Sequence, residues 1–149
     1  MIQDNFLPYE ESRELKNLGF DEKELILKFY TKPNSKMISI DEHGRYYPIK
    51  NTSKKLYNIG EYFALKEENI IIAPLYQQVF SFFRKEYDLH GIVDLQACNP
   101  SHWYFRIDKI SINNYLFHSE DEGLKFETYE EAELACIRKI IEICKIYIN

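Results

Sequence analysis

Glycine and cysteine are scarce in this chain of 149 residues, which has five of the first and three of the second. The glycines are far apart, so none joins another in a loop that cradles phosphates, and the usual nucleotide-binding motifs are excluded. An odd number of cysteines at no recurring spacing argues against a disulfide framework and for a reducing compartment. We therefore expect a cytoplasmic protein, and the sequence indicates no cofactor.

Long apolar runs are missing as well. The longest purely aliphatic stretch lies at residues 70–72, whereas a membrane-spanning helix needs about 20 apolar residues. Residues 1–11 carry acids and Pro8 where a secretory leader would have its apolar segment. We therefore expect neither a leader nor a membrane-spanning segment, and no membrane partner.

A surplus of basic residues is also absent, because the net charge at neutral pH is −5. Residues 119–133 contain seven acids and one lysine, so this segment carries −6 and the rest of the chain +1. Binding to a phosphate backbone needs the opposite balance, and nucleic acid is therefore not an expected partner. Such an acidic segment is typical of a solvated loop and helix start, or of a site for a basic partner or a divalent cation.

Length and composition indicate one globular domain. A chain of 149 residues with 45% hydrophobic residues can bury a core without disulfides or metals. We expect a single α+β domain over residues 1–149. Residues 1–69 should contain a helix, a β-hairpin and a connection, and residues 70–149 an α-β-β-β-α unit. In this fold an antiparallel sheet has its helices packed on one face.

The N-terminal part is predicted to begin with a helix. Pro8 suits a first helical turn, and Gly19 is a natural left-handed terminator that lets Phe20 pack back on Leu15. Apolar residues on both sides of a turn at residues 33–35 predict a β-hairpin over residues 24–41, although residues 25–27 could continue a helix instead. Residues 51–69 are predicted to be a long connection with a short helical piece near residues 62–66.

Hydrophobic periodicity predicts the elements of the C-terminal unit. Helical spacing extends over residues 74–87 and over residues 129 to about 146, and the second helix opens with a capping box formed by Thr128 and Glu131. Alternation predicts strands over residues 91–98, 102–110 and 115–118, rejoined past the acidic turn by residues 124–126. Trp103, Phe105 and Ile107 share the inward face of the middle strand.

The order of helix, three antiparallel strands and helix from residue 74 onwards resembles the topology of double-stranded-RNA-binding domains. Those domains hold phosphates with basic residues at the start of their last helix. Here residues 128–133 read Thr-Tyr-Glu-Glu-Ala-Glu and have the opposite charge. The resemblance implies a related topology, and a nucleic-acid-associated protein is the alternative function, but we do not expect RNA binding to transfer.

A second resemblance is carried by residues of the C-terminal half. Residues 73–80 read Ala-Pro-Leu-Tyr-Gln-Gln-Val-Phe, residues 83–85 Phe-Arg-Lys, residues 103–104 Trp-Tyr, and residues 128–136 Thr-Tyr-Glu-Glu-Ala-Glu-Leu-Ala-Cys. These stretches look like hallmarks of small uncharacterised proteins of phages and mobile elements of gut bacteria. The resemblance implies an accessory role in a bacterium or its phage, and it brings no catalytic residues with it.

One pair of cysteine and histidine residues is spaced so that a catalytic or zinc-binding site has to be considered. Cys98 and His102 flank the turn between two predicted strands and could approach each other or His118. A nucleophilic thiol needs a base within hydrogen-bond reach and a group that orients the base, whereas zinc needs three or four ligands. Because the sequence offers the spacing alone, we assign no catalytic or metal-binding residue. A small enzyme using Cys98 with His102 or His118 is the second alternative.

The outward face of the predicted sheet, beside the acidic turn, is the candidate interaction surface. Its members are Asp94, Gln96, Tyr104, Arg106, His118, Glu120, Asp121 and Glu122. Tyrosine and arginine on an exposed sheet face are typical of a protein-binding patch, and a half-solvated face with cross-strand charge pairs is the competing explanation. The sequence therefore favours a non-enzymatic binding or accessory module with a protein partner.

The closing helix is apolar around most of its circumference and needs cover on more than one side. The partner could therefore be a second copy of the chain, in a homodimer. The predicted seam consists of Ile137, Ile141, Cys144 and Ile148. The N-terminal helix and hairpin are the competing cover.

Overall fold

The computed structural model describes residues 6–20, 28–30, 38–40, 46–48, 71–72 and 74–148. The chain divides into two compact units, Met1–Leu75 and Tyr76–Asn149, which are described separately below. The predicted α+β class is confirmed, because each unit combines helix with antiparallel sheet. The grouping of residues 1–149 into a single domain stays a prediction.

The first helix, α1, spans Tyr9–Asn17 and ends at a left-handed glycine as predicted. Gly19 has a φ of +92°, and its N–H donates to the carbonyl of Lys16 while the N–H of Phe20 donates to the carbonyl of Leu15. These two bonds define a Schellman motif, and the side chains of Leu15 and Phe20 are both buried. Pro8 is extended and precedes the helix, rather than lying in its first turn.

The first unit also contains a four-stranded antiparallel sheet in the order β3-β2-β1-β4. Its strands are β1 (Lys28–Tyr30), β2 (Ile38–Ile40), β3 (Tyr46–Pro48) and β4 (Ile71–Ile72). The predicted hairpin is confirmed by the pairing of β1 with β2. The pattern did not predict β4, because two residues are too few to show a period. The helical alternative for residues 25–27 and the predicted helical piece near residues 62–66 lie outside the described residues.

The second unit has the predicted order of helix, three antiparallel strands and helix. Its elements are α2 (Tyr76–Glu86), β5 (Leu89–Gln96), β6 (His102–Lys109), β7 (Asn114–His118) and α3 (Tyr129–Ile148). The helix α2 starts two residues later than residue 74, because Leu75, the last residue of the first unit, is extended and forms a β-bridge with Phe6 of the same unit. Leu75 is therefore exposed, rather than part of the buried helical face.

Both helices pack on one face of the β5-β6-β7 sheet. A Cβ atom added to Gly91 would lie 2.6 Å from the ring of Phe80 in α2 and 2.7 Å from Sγ of Cys136 in α3. The helices meet over β5 at a place where only glycine fits. On β6, Phe105 and Ile107 are buried as predicted, whereas Trp103 is half-buried and lies edge-on to Tyr129, with 5.3 Å between ring centroids.

The closing helix α3 begins with the predicted capping box. The N–H of Glu131 donates to Oγ1 of Thr128 at 3.2 Å, and the N–H of Thr128 donates to Oε2 of Glu131 at 3.3 Å. In the ranges given above, none of the helices combines the length and the hydropathy that a bilayer-crossing segment requires.

The predicted homodimer seam on α3 is wrong. Ile137, Ile141 and Cys144 are buried within the chain itself, so they offer no exposed seam, and the side chain of Ile148 lies outside the described residues. The spacing of three and four between these positions marks one helical face. That spacing does not say whether the face is covered by the same chain or by another one.

Candidate functional site

The face of the C-terminal sheet that points away from α2 and α3, called the open face below, brings four of the predicted surface residues together. Asp94 on β5 lies opposite Tyr104 on β6, and Arg106 on β6 lies opposite His118 on β7. The rings of Tyr104 and His118 are stacked, with 5.1 Å between centroids and 15° between planes. The open face therefore carries an ordered aromatic pair at its centre.

The charge of Arg106 is compensated within the open face. Its Nε lies 2.9 Å from Oδ1 of Asp108, and its Nη2 donates to Oδ2 of the same carboxylate at 3.1 Å. The two residues are two positions apart on β6 and therefore lie on the same side of the strand. One hydrogen bond and the close approach of opposite charges hold the guanidinium beside Asp108, although Nε and Oδ1 do not form a hydrogen bond with each other.

The remaining predicted surface residues lie at one end of this face. Gln96 is exposed at the end of β5, where it is paired with His102. Asp121 and Glu122 are exposed in a single 3₁₀ turn, Ser119–Glu122, that follows β7 directly. Glu120, in the same turn, is half-buried and contacts His102.

The loop after β7 is held along the edge of β6. The N–H of Phe105 donates to Oγ of Ser119 at 3.0 Å, and Trp103 and Phe126 exchange two backbone hydrogen bonds at 2.8 and 3.0 Å. Gly123, at a φ of +71°, closes the 3₁₀ turn by donating to the carbonyl of Glu120. Ser119 is fully buried, and nothing in the sequence pattern distinguished it from a solvated loop residue.

Three side chains are aligned at this end of the open face. Nδ1 of His102 lies 3.6 Å from Sγ of Cys98, and Nε2 of the same ring lies 2.8 Å from Oε1 of Glu120. His102 is buried, with a relative exposure of 9%, whereas Cys98 is exposed. The thiol also donates to the carbonyl oxygen of Pro100 at 3.1 Å.

The partners of His102 assign its tautomer. A carboxylate can only accept, so the neutral imidazole carries its proton on Nε2, which donates to Glu120. This leaves the lone pair of Nδ1 directed towards the thiol of Cys98. Of the two histidines that the sequence offered as partners of Cys98, His102 is therefore the one that faces it.

His118 has a different role. Its Nδ1 accepts the backbone N–H of Glu120 at 3.4 Å, which caps the 3₁₀ turn, while its ring stacks on Tyr104. The two ring nitrogens of His102 point in opposite directions, so Cys98 and Glu120 do not converge on a common point. Within the part of the chain that the structure describes, no group of three or more His, Cys, Asp or Glu side chains could hold a metal ion.

A cleft of about 410 Å³ lies on the helical side of the same sheet. Gly91, Arg84, Tyr129 and Glu133 are among the residues that line it. The hydroxyl of Tyr129 donates to Oε1 of Glu133 at 3.4 Å, and partial burial raises the pKa of both side chains. The volume is within the range of small-molecule sites, but the lining includes no cysteine, serine, threonine or histidine.

The fold and the site define an α+β protein whose C-terminal sheet carries an aromatic stack and a thiol–imidazole–carboxylate line on its open face. Comparison with models of known protein families, with curated proteins and with solved structures finds no match to this chain. Its function is therefore argued from the geometry of the site itself.

Proposed function

We propose that this protein is a binding module, an accessory protein of a phage or mobile element, that docks a protein partner on the open face. The observation that carries the proposal is the stack of Tyr104 on His118 beside Arg106. Tyrosine and arginine are enriched at protein interfaces because each offers a large contact area with a polar end.

The open face is organised before a partner arrives. Tyr104 has only two side-chain torsions, and the contact with His118 restrains them, while Asp108 fixes the guanidinium of Arg106. Binding to such a surface costs little side-chain entropy, and that cost is one of the main penalties of association. The rigid β-sheet beneath, packed against two helices, keeps these groups in register.

The charges favour a partner with a basic segment. Arg106 is already neutralised by Asp108, whereas Asp94, opposite Tyr104, and Asp121 and Glu122, in the turn after β7, are exposed carboxylates. Complementary charge raises the association rate and excludes partners of the same sign. The nucleic-acid alternative has the wrong sign at this surface, and no contact described above favours it.

Selection from a library of displayed random peptides against the purified protein tests the proposal. We expect enrichment of peptides with lysine or arginine next to an aromatic residue. Tyr104→Ala should weaken the binding of selected peptides by about tenfold or more, because hot-spot tyrosines carry at least 1–2 kcal/mol. If selected peptides bind Tyr104→Ala as tightly as the unmodified protein, the open face is not the docking site.

Charge-reversal substitutions test whether electrostatic attraction contributes to binding of the partner. Asp121→Lys combined with Glu122→Lys should weaken binding more at low salt than at high salt, because salt screens charges on the surface. Glu86→Lys combined with Glu142→Lys, at exposed positions of α2 and α3, changes the net charge by the same amount and is the matched control that should leave binding unchanged. Equal effects of both changes would show that net charge alone governs binding.

A second copy of the chain is one form that the protein partner can take. The seam predicted on α3 is buried, so a homodimer would have to use other surfaces. Light scattering at tens of micromolar protein distinguishes a monomer from a dimer directly. A dimer that dissociates on Tyr104→Ala substitution would identify the open face as the self-contact.

Thiol chemistry is the second candidate function. The observation that favours it is the line from Cys98 through His102 to Glu120, with distances of 3.6 and 2.8 Å. A base within reach of a thiol and a carboxylate behind the base are the two features that the sequence alone did not supply.

A further inference from the structure

We propose that Cys98 is a nucleophile towards activated acyl groups, with His102 as its general base and Glu120 as the positioning residue of that base. The substrate class is a carbonyl compound with a good leaving group, such as an ester or a thioester. This inference rests on the second candidate function, thiol chemistry, and names its substrate class; it does not depend on protein binding at the open face.

The first step of the argument is the placement of the base. Nδ1 of His102 is 3.6 Å from the thiol sulfur, a distance typical of a nucleophile and base before substrate is bound. His102 is the first residue of β6 and is paired with Gln96, so its backbone is fixed by the sheet. Its ring is nine-tenths buried and therefore has little room to turn away.

The second step is the carboxylate behind the base. Oε1 of Glu120 accepts a hydrogen bond from the N–H at Nε2 of His102 at 2.8 Å. This bond keeps the lone pair of Nδ1 on the side of Cys98. When His102 takes the thiol proton, the imidazolium that forms lies against this carboxylate and is stabilised by it. Glu120 is kept in place because Ser119, the preceding residue, is bonded to β6.

The third step is access. Cys98 is exposed, so an acyl compound can reach its sulfur, whereas Cys136 and Cys144 are buried. Burial raises the pKa of the Cys144 thiol to about 11 and raises the pKa of Cys136 further. The three cysteines therefore provide one candidate nucleophile and two internal controls in the same chain.

The reaction balances without an oxidant or a metal. The thiol of Cys98 turns its proton from the carbonyl of Pro100 to Nδ1 of His102, which takes it. The sulfur forms a bond to the carbonyl carbon, and the bond from that carbon to the leaving oxygen or sulfur breaks. The proton on His102 then passes to the leaving group. Water, deprotonated by His102, cleaves the resulting thioester and releases a carboxylic acid and the free thiol.

The test uses p-nitrophenyl acetate on the intact protein, with nitrophenolate release followed by absorbance and the acetyl group located by peptide mass spectrometry. We expect the acetylation rate of Cys98 in the native protein to exceed that in the urea-unfolded chain by about tenfold or more. In the unfolded chain the thiol is accessible, but His102 is no longer held next to it as a base. A native rate equal to or below the unfolded rate overturns the proposal, and this comparison requires no variant.

Variants assign the roles. His102→Ala should abolish the native advantage, and added imidazole should restore part of it, which a purely structural role would not allow. Glu120→Gln should lower the rate several-fold and change the nitrogen-15 shifts of His102, which report the ring nitrogen that carries the proton. Glu86→Gln, the same change at an exposed position of α2, should alter neither. An unchanged rate in His102→Ala would show that Cys98 is only an exposed thiol.

Discussion

The two faces of β6 carry different kinds of side chain, although successive residues of the strand alternate between them. On the helical face, Phe105 and Ile107 are fully buried, and Phe105 packs on the rings of Phe117 and Phe126 at 5.4 and 5.8 Å. On the open face, Tyr104 and Arg106 stay partly exposed, and each is held by one specific neighbour. The helical face contributes stability by burial, whereas the open face contributes order by directional contacts.

This difference means that stability and candidate function can be changed separately. Removing a buried group loses both its transfer free energy and the packing around it, so its cost is large. Removing a partly exposed group loses one contact, and water replaces much of it. The substitutions below compare the two faces, in order of decreasing expected cost.

Phe105→Ala should have the largest effect. A buried phenylalanine replaced by alanine lowers the free energy of unfolding by about 3–5 kcal/mol. Tyr104→Ala, the neighbouring position on the open face, should cost less, because its ring is only partly buried and its stack on His118 adds about 0.5–1.5 kcal/mol to that partial burial. Urea denaturation of both variants measures the difference, and equal costs would show that the two faces are not energetically distinct.

Gly91→Ala should follow, at about 1–3 kcal/mol, because an added methyl group has no space between α2 and α3 and overpacking distorts the core. The added carbon would meet Sγ of Cys136 at 2.7 Å. The double variant Gly91→Ala with Cys136→Ala should therefore be less destabilised than the sum of the two single changes. Thermal unfolding of all three variants measures this coupling, and full additivity would contradict the close contact.

Thr128→Ala should lower the free energy of unfolding by about 1 kcal/mol, because it removes the side-chain oxygen that caps α3. The bond that is lost is the one from the N–H of Glu131 at 3.2 Å. Thr128→Ser keeps the hydroxyl and is the matched control. If serine and alanine are equally destabilising in chemical denaturation, the capping bond contributes nothing and the helical side depends on burial alone.

Arg106→Ala should have the smallest effect, below about 1 kcal/mol, because both side chains of its ion pair with Asp108 are partly exposed and salt weakens the pair. The side chain of Arg106 is 40% exposed and that of Asp108 24%. A double-mutant cycle with Asp108→Asn, measured at low and high salt, isolates the pair. A coupling free energy above about 2 kcal/mol that does not change with salt would show that this pair stabilises the fold as much as a buried contact does.

Much of the fold could be predicted because its signals are local. The capping box at Thr128, the Schellman motif at Gly19 and the helical periods of α2 and α3 depend on residues within one or two turns of each other. The observed end of a helix or strand differs from the predicted one by about two residues where a long-range contact intervenes. This is the case at Leu75, which pairs with Phe6.

The candidate site was predictable in part. Alternation along β6 placed Tyr104 and Arg106 on one side because the period of a strand is two. The stack of Tyr104 on His118 needs the register between β6 and β7, which contains an irregularity between Ile107 and Asp108. No sequence pattern gives that register.

The amino-acid sequence by itself determined the α+β class, the order of the C-terminal elements and the two sides of β6, because these follow from turn residues and short-range periodicity. Only the tertiary structure decided that Glu120 meets His102 from 18 positions away, that Gly91 lies where two helices meet, and that Ile137 and Ile141 are core rather than surface. Each of these depends on which distant segments the folded chain brings within a few ångströms, and periodicity along the chain does not contain that information.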